Sequence, residues 1–436
     1  MKKLIALILC MACVLSLAAC APKAPGPEVV EKKDYSAFAN IVADPKTWYD
    51  NFMKLPVATA DMTETELRQL CVDAFAANMT FCWTPTDSIT YTYELLDRYS
   101  DVTIPKGIAY SGLFYATGVT DATCGNIWKV LPYYDQETGA VDVEAMGDNV
   151  LNYLSSACSY GAMQGWNRVI NSHKLNGMNS YNQYDSGIIP VGTYTYKPNH
   201  YKYNFVSRTA SDEIIAFNGE EVMWESIAAG KMADGLYSSS SWHVMMYAQD
   251  PVLVYNDDGT LNPFESYVLV HEQGAGGTGS DKYNVDQSNG VPLRQLGTTF
   301  NKFTIHRLVE KGYIPFTFKE FTGEDPIEPG KVWVGEKKTL ENGADISLSQ
   351  LSNEKVCGNY NICTLLIEVK TPDGQVMVSY VPNVATNPAK FTVNLFNLLD
   401  EARLKPYADG KNTIHISAQL SNGEKLEGFQ TVLKVD

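Results

Sequence analysis

Apolar residues recur at helical spacing early in the chain. Leu67, Leu70, Cys71, Ala74 and Phe75 fall at i, i+3, i+4, i+7 and i+8, and Thr63 with Glu66 supplies capping-box spacing just ahead of them. A second stripe, Ala162, Met163, Trp166, Val169 and Ile170, predicts another helix, with Ser155 and Ser156 in place to cap it. The stretch 87–99 also reads as helical after the Thr84-Pro85 punctuation, and Val143, Met146, Val150, Leu151 and Leu154 mark one more helix. From 171 to 218 only short extended pieces are expected. Residues 242–248, 252–255 and 266–272 then read as three strands of a meander, separated by Gln249-Asp250-Pro251 and Asn256-Asp257-Asp258-Gly259. The segment 300–310 reads as a helix closed by Gly312.

After PIEPG (326–330) the period changes from helical to alternating. Seven short runs, VWVG, ADISLS, TLLIEVKT, VMVSYV, KFTVNLF, TIHISAQL and FQTVLKV, are interleaved with turns such as Pro372-Asp373-Gly374 and Asn422-Gly423. That spacing predicts an Ig-like β-sandwich over 331–436. The fold class expected for the whole is therefore α+β: a helix-plus-antiparallel-sheet domain over 34–330, then the sandwich.

The amino-terminal end reads as a targeting segment. Lys2 and Lys3 precede an apolar run, and Leu17-Ala18-Ala19-Cys20 resembles a bacterial lipobox, so residues 1–20 are expected to be a lipoprotein signal with Cys20 as the lipidated residue. Residues 21–33, APKAPGPEVVEKK, have the composition of a Pro-rich tether. The expected location is extracytoplasmic, anchored to a bacterial membrane through the lipid on Cys20. The net charge of −16 repels phosphate backbones and argues against nucleic acid as a partner.

Cys158 lies in the first turn of its predicted helix, where free N–H groups and the helix dipole favour a thiolate. The alternative reading is a small core residue in line with Ala162. A cysteine nucleophile needs a base and a group to orient it. Of the six histidines, His243 opens a strongly apolar strand downstream of the cysteine. Hairpin geometry in the predicted meander sets Asn256 opposite His243, with Glu272 as the alternative third residue. Cys124 is a reserve nucleophile, whereas Pro85 denies Cys82 a helix to lead. GAGGTG at 274–279 lacks a following helix and is rejected as a dinucleotide site. No spacing suits a metal, and no cofactor is expected. Cys357 and Cys363 flank GNYNI, and a disulfide between them is left open.

CSYGAMQGWNRV followed by WHVMMYAQDPVLVYN resembles the NlpC-type, papain-like cysteine endopeptidases of bacterial cell walls. In that family Cys-Ser starts a helix and His-Val-apolar-apolar-Tyr starts a strand. Those patterns fall here on Cys158-Ser159 and on His243 to Tyr247. Ala157 stands where the family usually has Asp or Asn, and the interval from Cys158 to His243 is longer than usual. The resemblance implies a papain-like cysteine hydrolase acting on amide bonds, with peptidoglycan stem peptides as the substrate class. It also implies an oxyanion site at the backbone of Cys158 and Ser159, with Tyr110 as a further donor. The competing expectation is a catalytically inactive, lipid-anchored binding protein for wall fragments or glycans.

Overall fold

A computed structural model describes residues 44–95, 98–115, 126–171, 188–195, 210–274, 294–295, 298–382, 392–396 and 398–435. The signal segment, Cys20, the tether, Cys124, His173, His200 and the glycine run beyond Gly274 lie outside them. The fold is α+β, with helices packed on antiparallel sheets.

The capping box forms as expected. Thr63 caps the helix Glu64–Thr80, accepting from the Glu66 N–H, while the Glu66 carboxylate accepts from the Thr63 N–H at 2.8 Å. This helix and the helix Cys158–Trp166 pack on a six-stranded antiparallel sheet. Its strands, labelled in chain order, are β1 (Ile188–Pro190), β2 (Gly235–Ser238), β3 (His243–Tyr247), β4 (Tyr267–Gln273), β5 (Thr298–Thr304) and β6 (Ile314–Phe318). In space they run β5-β4-β3-β2-β6-β1. Val244 to Tyr247 are fully buried because both faces of β3 are covered, and they share one core with Phe75, Met163 and Trp166.

Two glycines set how closely the Cys158 helix approaches. A Cβ on Gly161 would lie 2.6 Å from Gln273 Cβ, and one on Gly165 would lie 2.7 Å from both the Cys71 carbonyl oxygen and Met246 Cε. Gln273 and Met246 therefore belong to the sheet face that receives the helix. Alternation sends Glu272, Met245 and His243 to the other face.

Several expectations are corrected. Residues 87–99 are not helical: Ile89–Leu95 and Arg98–Ile104 pair as an antiparallel hairpin. Ile89, Tyr91 and Tyr93 alternate with Thr90 and Thr92, a two-residue period of β-branched and aromatic residues that outweighs the helical reading. Ser155–Ser156 form a short strand parallel to Phe114–Tyr115, and the cap of the Cys158 helix is Ala157, extended and without a side-chain bond. The 143–154 helix is split into Val143–Met146 and Val150–Leu154, with Gly147 at φ +54° between them. Residues 252–255 are not a strand; Val252 and Tyr255 make only isolated bridges, to Tyr267 and Leu261. In 300–310 a strand ends at Thr304, whose side chain then caps the helix Ile305–Glu310.

The carboxy-terminal region has two antiparallel sheets around one core. One joins Val332–Val334, Lys355–Gly358 and Thr392–Asn394; the other joins Val376–Tyr380, Ile362–Lys370, Asp409–Leu420 and Lys425–Lys434. ADISLS is not a strand, because Ser347 and Gln350 form a capping box that starts the helix Leu348–Ser352. Cys357 and Cys363 are free buried thiols on different sheets and form no disulfide.

Candidate active site

The tip of the Cys158 helix overhangs the start of β3. The Cys158 thiol donates to the carbonyl oxygen of Trp242 at 3.5 Å, and the backbone N–H groups of Val244 and Ser159 donate to the sulfur. Its side chain hydrogen-bonds the His243 ring. The Nε2 atom of that ring is 2.7 Å from Glu272 Oε2, which leaves Nδ1 for the sulfur. The Asn301 side-chain amide donates to the other Glu272 oxygen. A continuous chain thus runs Cys158–His243–Glu272–Asn301, supplied by one helix tip and three adjacent strands.

Strand register explains why Glu272 meets His243. β3 pairs directly with β4, with Met245 opposite Glu272, Met246 opposite His271 and Tyr247 opposite Val270. Directly opposed residues share a face, and diagonal neighbours two residues away remain within reach of long side chains. Glu272 is such a neighbour of His243. The assignment of Asn256 to this position is therefore corrected. Asn256 sits in an exposed turn and donates its amide to Thr260 Oγ1 at 3.0 Å. It was placed by a meander that does not form.

Electrostatics separates Cys158 from the other cysteines. Burial pushes Cys71 and Cys357 upward, and Cys82 up to about 12. Cys158 is only 6 % exposed, and burial would raise it too. The hydrogen bond and charge of His243, with the Val244 and Ser159 amides, outweigh that and hold the thiol below its ordinary value. For His243 burial acts downward, but the bonds to Cys158 and Glu272 raise the imidazole to about 10. Both shifts favour moving the proton from the Cys158 sulfur to the His243 ring.

Trp242 precedes His243 with φ +50°, a left-handed backbone costing a non-glycine residue about 1–2 kcal/mol. Its indole is 47 % exposed. Strain of this kind persists where surrounding structure imposes it, and here it accompanies the carbonyl that faces the sulfur.

Tyr110 is buried in a second core with its ring 5.4 Å from Trp83. The tyrosines whose hydroxyls feel the charge of Cys158 are Tyr237 and Tyr313, both pushed upward first by burial. Tyr313 also stands edge-on to the His243 ring at 6.5 Å and bonds Ser241. Its hydroxyl stays protonated, hence a donor. Neither tyrosine, nor Asn301, was found by sequence reasoning. Asn301 lay in a stretch read as helix; recognising the alternation of 298–304 as a strand beside Glu272 would have been the signal.

The other histidines are used elsewhere. His271 is enclosed between Phe75 and Phe300, and burial lowers it to about 3, so it is neutral. His306 lies tilted against Phe264 with ring centroids 4.3 Å apart, and His415 pairs with Glu427 in the carboxy-terminal sheet. Among the described residues no group of histidines, cysteines and carboxylates is gathered to hold a metal, and no helix is long and apolar enough to cross a membrane. A hollow of about 890 Å³ lined by Tyr49, Asp87, Tyr133 and Glu137 includes none of the Cys158 chain. No family model, curated protein or solved structure matches this sequence.

Proposed function

We propose that this chain is a papain-like cysteine hydrolase of the NlpC type, cleaving amide bonds in cell-wall stem peptides. In this reading a lipid on Cys20 holds it at the outer face of a bacterial membrane, and its carboxy-terminal sandwich is Ig-like. The observation that carries the reading is the hydrogen-bonded chain from the Cys158 sulfur through His243 to Glu272 at a helix N-terminus. The choice of wall peptides rests on the resemblance of the Cys-Ser and His-Val-Met-Met-Tyr segments alone.

The chemistry follows from that arrangement. The thiolate attacks the amide carbonyl carbon, and the carbonyl π electrons move onto oxygen, where backbone N–H groups at the helix start stabilise the anion. As the tetrahedral centre collapses, His243 gives its proton to the leaving amine and the C–N bond breaks, leaving a thioester on Cys158. Neutral His243 then takes a proton from water, whose oxygen attacks the thioester and releases the acid and the thiolate. Glu272 keeps the imidazole oriented and its cation stabilised throughout.

Cys158→Ala should abolish hydrolysis of isolated stem peptides while leaving the thermal midpoint within a few degrees. Undiminished hydrolysis would place the nucleophile elsewhere. The low exposure of Cys158 favours one second reading, an inactive binding protein. Rapid alkylation of folded Cys158 by iodoacetamide near neutral pH supports the enzyme, whereas alkylation only after unfolding supports the binding protein.

A further inference from the structure

The far end of the Cys158 helix is gripped by the carboxy-terminal sandwich. The helix is followed by a turn, 167–170, bonded back onto it through Asn167 N–H to Met163 O and Ile170 N–H to Trp166 O. Tyr360, on the sandwich, shares its hydroxyl proton between the carbonyls of Val169 at 3.2 Å and Glu328 at 3.0 Å. Ser421 Oγ donates to Asn167 Oδ1 at 3.5 Å. Gly423, at φ +100° in the hairpin turn, lies close against the Arg168 guanidinium; a Cβ there would be 2.2 Å from Nη1.

Arg168 makes this seam unusual. It is 2 % exposed, and among the described residues its Nε and Nη1 have no acceptor. The rings of Phe52 and Trp128, at 5.7 and 5.6 Å, and one long contact from Nη2 to the Leu55 carbonyl are what it is given instead. A cation enclosed with no counter-ion among the described residues is costly, so it marks a place where packing is imposed from several sides.

Gly161 and Gly165 let the helix lie close to the sheet, and Trp166 in its last turn donates its indole N–H to the Ala233 carbonyl at 2.7 Å. The turn beyond Trp166 is held from the other side, by the sandwich. A nine-residue helix is a rod of about 13 Å, so movement at its end is carried to the sulfur at its tip.

We propose that the sandwich is the positioning element of the nucleophile helix, holding it through Tyr360 and the Ser421–Gly423 turn so that Cys158 keeps its contact with His243. This rests on the reading of Cys158 and His243 as a working pair. On it the sandwich is part of the machinery rather than a separable attachment, and Tyr360, Ser421 and Gly423 are positioning residues.

The test is peptide-resolved iodoacetamide labelling of Cys158 in the full chain across pH 5 to 10, alongside the thermal midpoint. The gentle variant is Tyr360→Phe with Ser421→Ala; Gly423→Val is the strong one. The control is Phe429→Leu, inside the sandwich core and away from the seam. The double variant should raise the thiol midpoint by about one pH unit, an approximately tenfold loss of labelling rate at pH values below both midpoints. The control should lower the thermal midpoint without moving the profile. An unmoved profile in the double variant, or an equal shift in the control, overturns the proposal. An ordinary thiol profile in the unaltered chain would instead remove the active-site reading, and this inference with it.

Discussion

Cys71 and Cys158 are both buried free thiols, yet their environments drive them in opposite directions. Nothing charged enough sits against Cys71 to offset the loss of water, whereas Cys158 has an imidazole and two amides directed at its sulfur. The pH dependence follows in sign. Below the depressed midpoint of Cys158 the thiol is protonated; above about 10 the His243 imidazole loses its proton and can no longer donate to a leaving amine. Hydrolysis should therefore rise at a pH below that of an ordinary thiol and fall near the imidazole midpoint, as a pH–rate profile on a stem peptide would read. Glu272→Gln keeps a hydrogen-bond partner but removes the charge. It should bring the alkaline limb down by at least about one unit, worth ~1.4 kcal/mol of lost imidazolium stabilisation. Titration of the His243 ring by NMR reads this directly, and an unmoved midpoint would separate Glu272 from the ring.

Between elements, the pairing of β3 with β4 decides which side chain reaches the base. Because that register brings Glu272 to His243 and leaves Asn256 in an outer turn, Asn256→Ala should leave the Cys158 alkylation profile unchanged. A shift of half a unit or more would contradict the register. The close approach of the Cys158 helix makes a second prediction. In an isolated helix, alanine at position 165 would be better than glycine by about 1 kcal/mol. Here its Cβ would press on the Cys71 carbonyl oxygen, which belongs to a helix backbone and cannot swing aside. Gly165→Ala should therefore destabilise the protein by about 1–3 kcal/mol in a urea titration.

Across the whole molecule, two buried arginines do opposite things. Arg68 joins the helix Glu64–Thr80 to the sheet, with Nη1 at 2.6 Å from Asp234 Oδ1 and 2.8 Å from the Met232 carbonyl. Arg168 sits at the seam with the sandwich and has no carboxylate partner among the described residues. Arg68→Met would leave Asp234 buried and unpaired, costing about 3–5 kcal/mol. Arg168→Met orphans no charge among the described residues and removes a cation whose burial is costly, so it should leave stability unchanged or raise it by about 1–4 kcal/mol. Equal losses in the two denaturation curves would show that Arg168 has a counter-ion in solution.

Local chemistry was legible in the sequence wherever neighbours along the chain decide the outcome. Thr63 and Glu66 cap their helix because the two groups are three residues apart, and Pro85 keeps Cys82 in a strand. The glycines of Pro372-Asp373-Gly374 and Asn422-Gly423 turn their hairpins because only they adopt positive φ cheaply. The third member of the Cys158 chain was a different kind of question. Glu272 lies 29 residues from His243, and which of the extended segments pairs with β3 depends on how the sheet covers its core, not on any turn signal. Asn301 and the Tyr360–Val169 seam are likewise contacts across large separations. A stripe of apolar residues states that a face will be buried. What it will be buried against, and hence which polar groups meet at its edge, is fixed only when the tertiary structure closes.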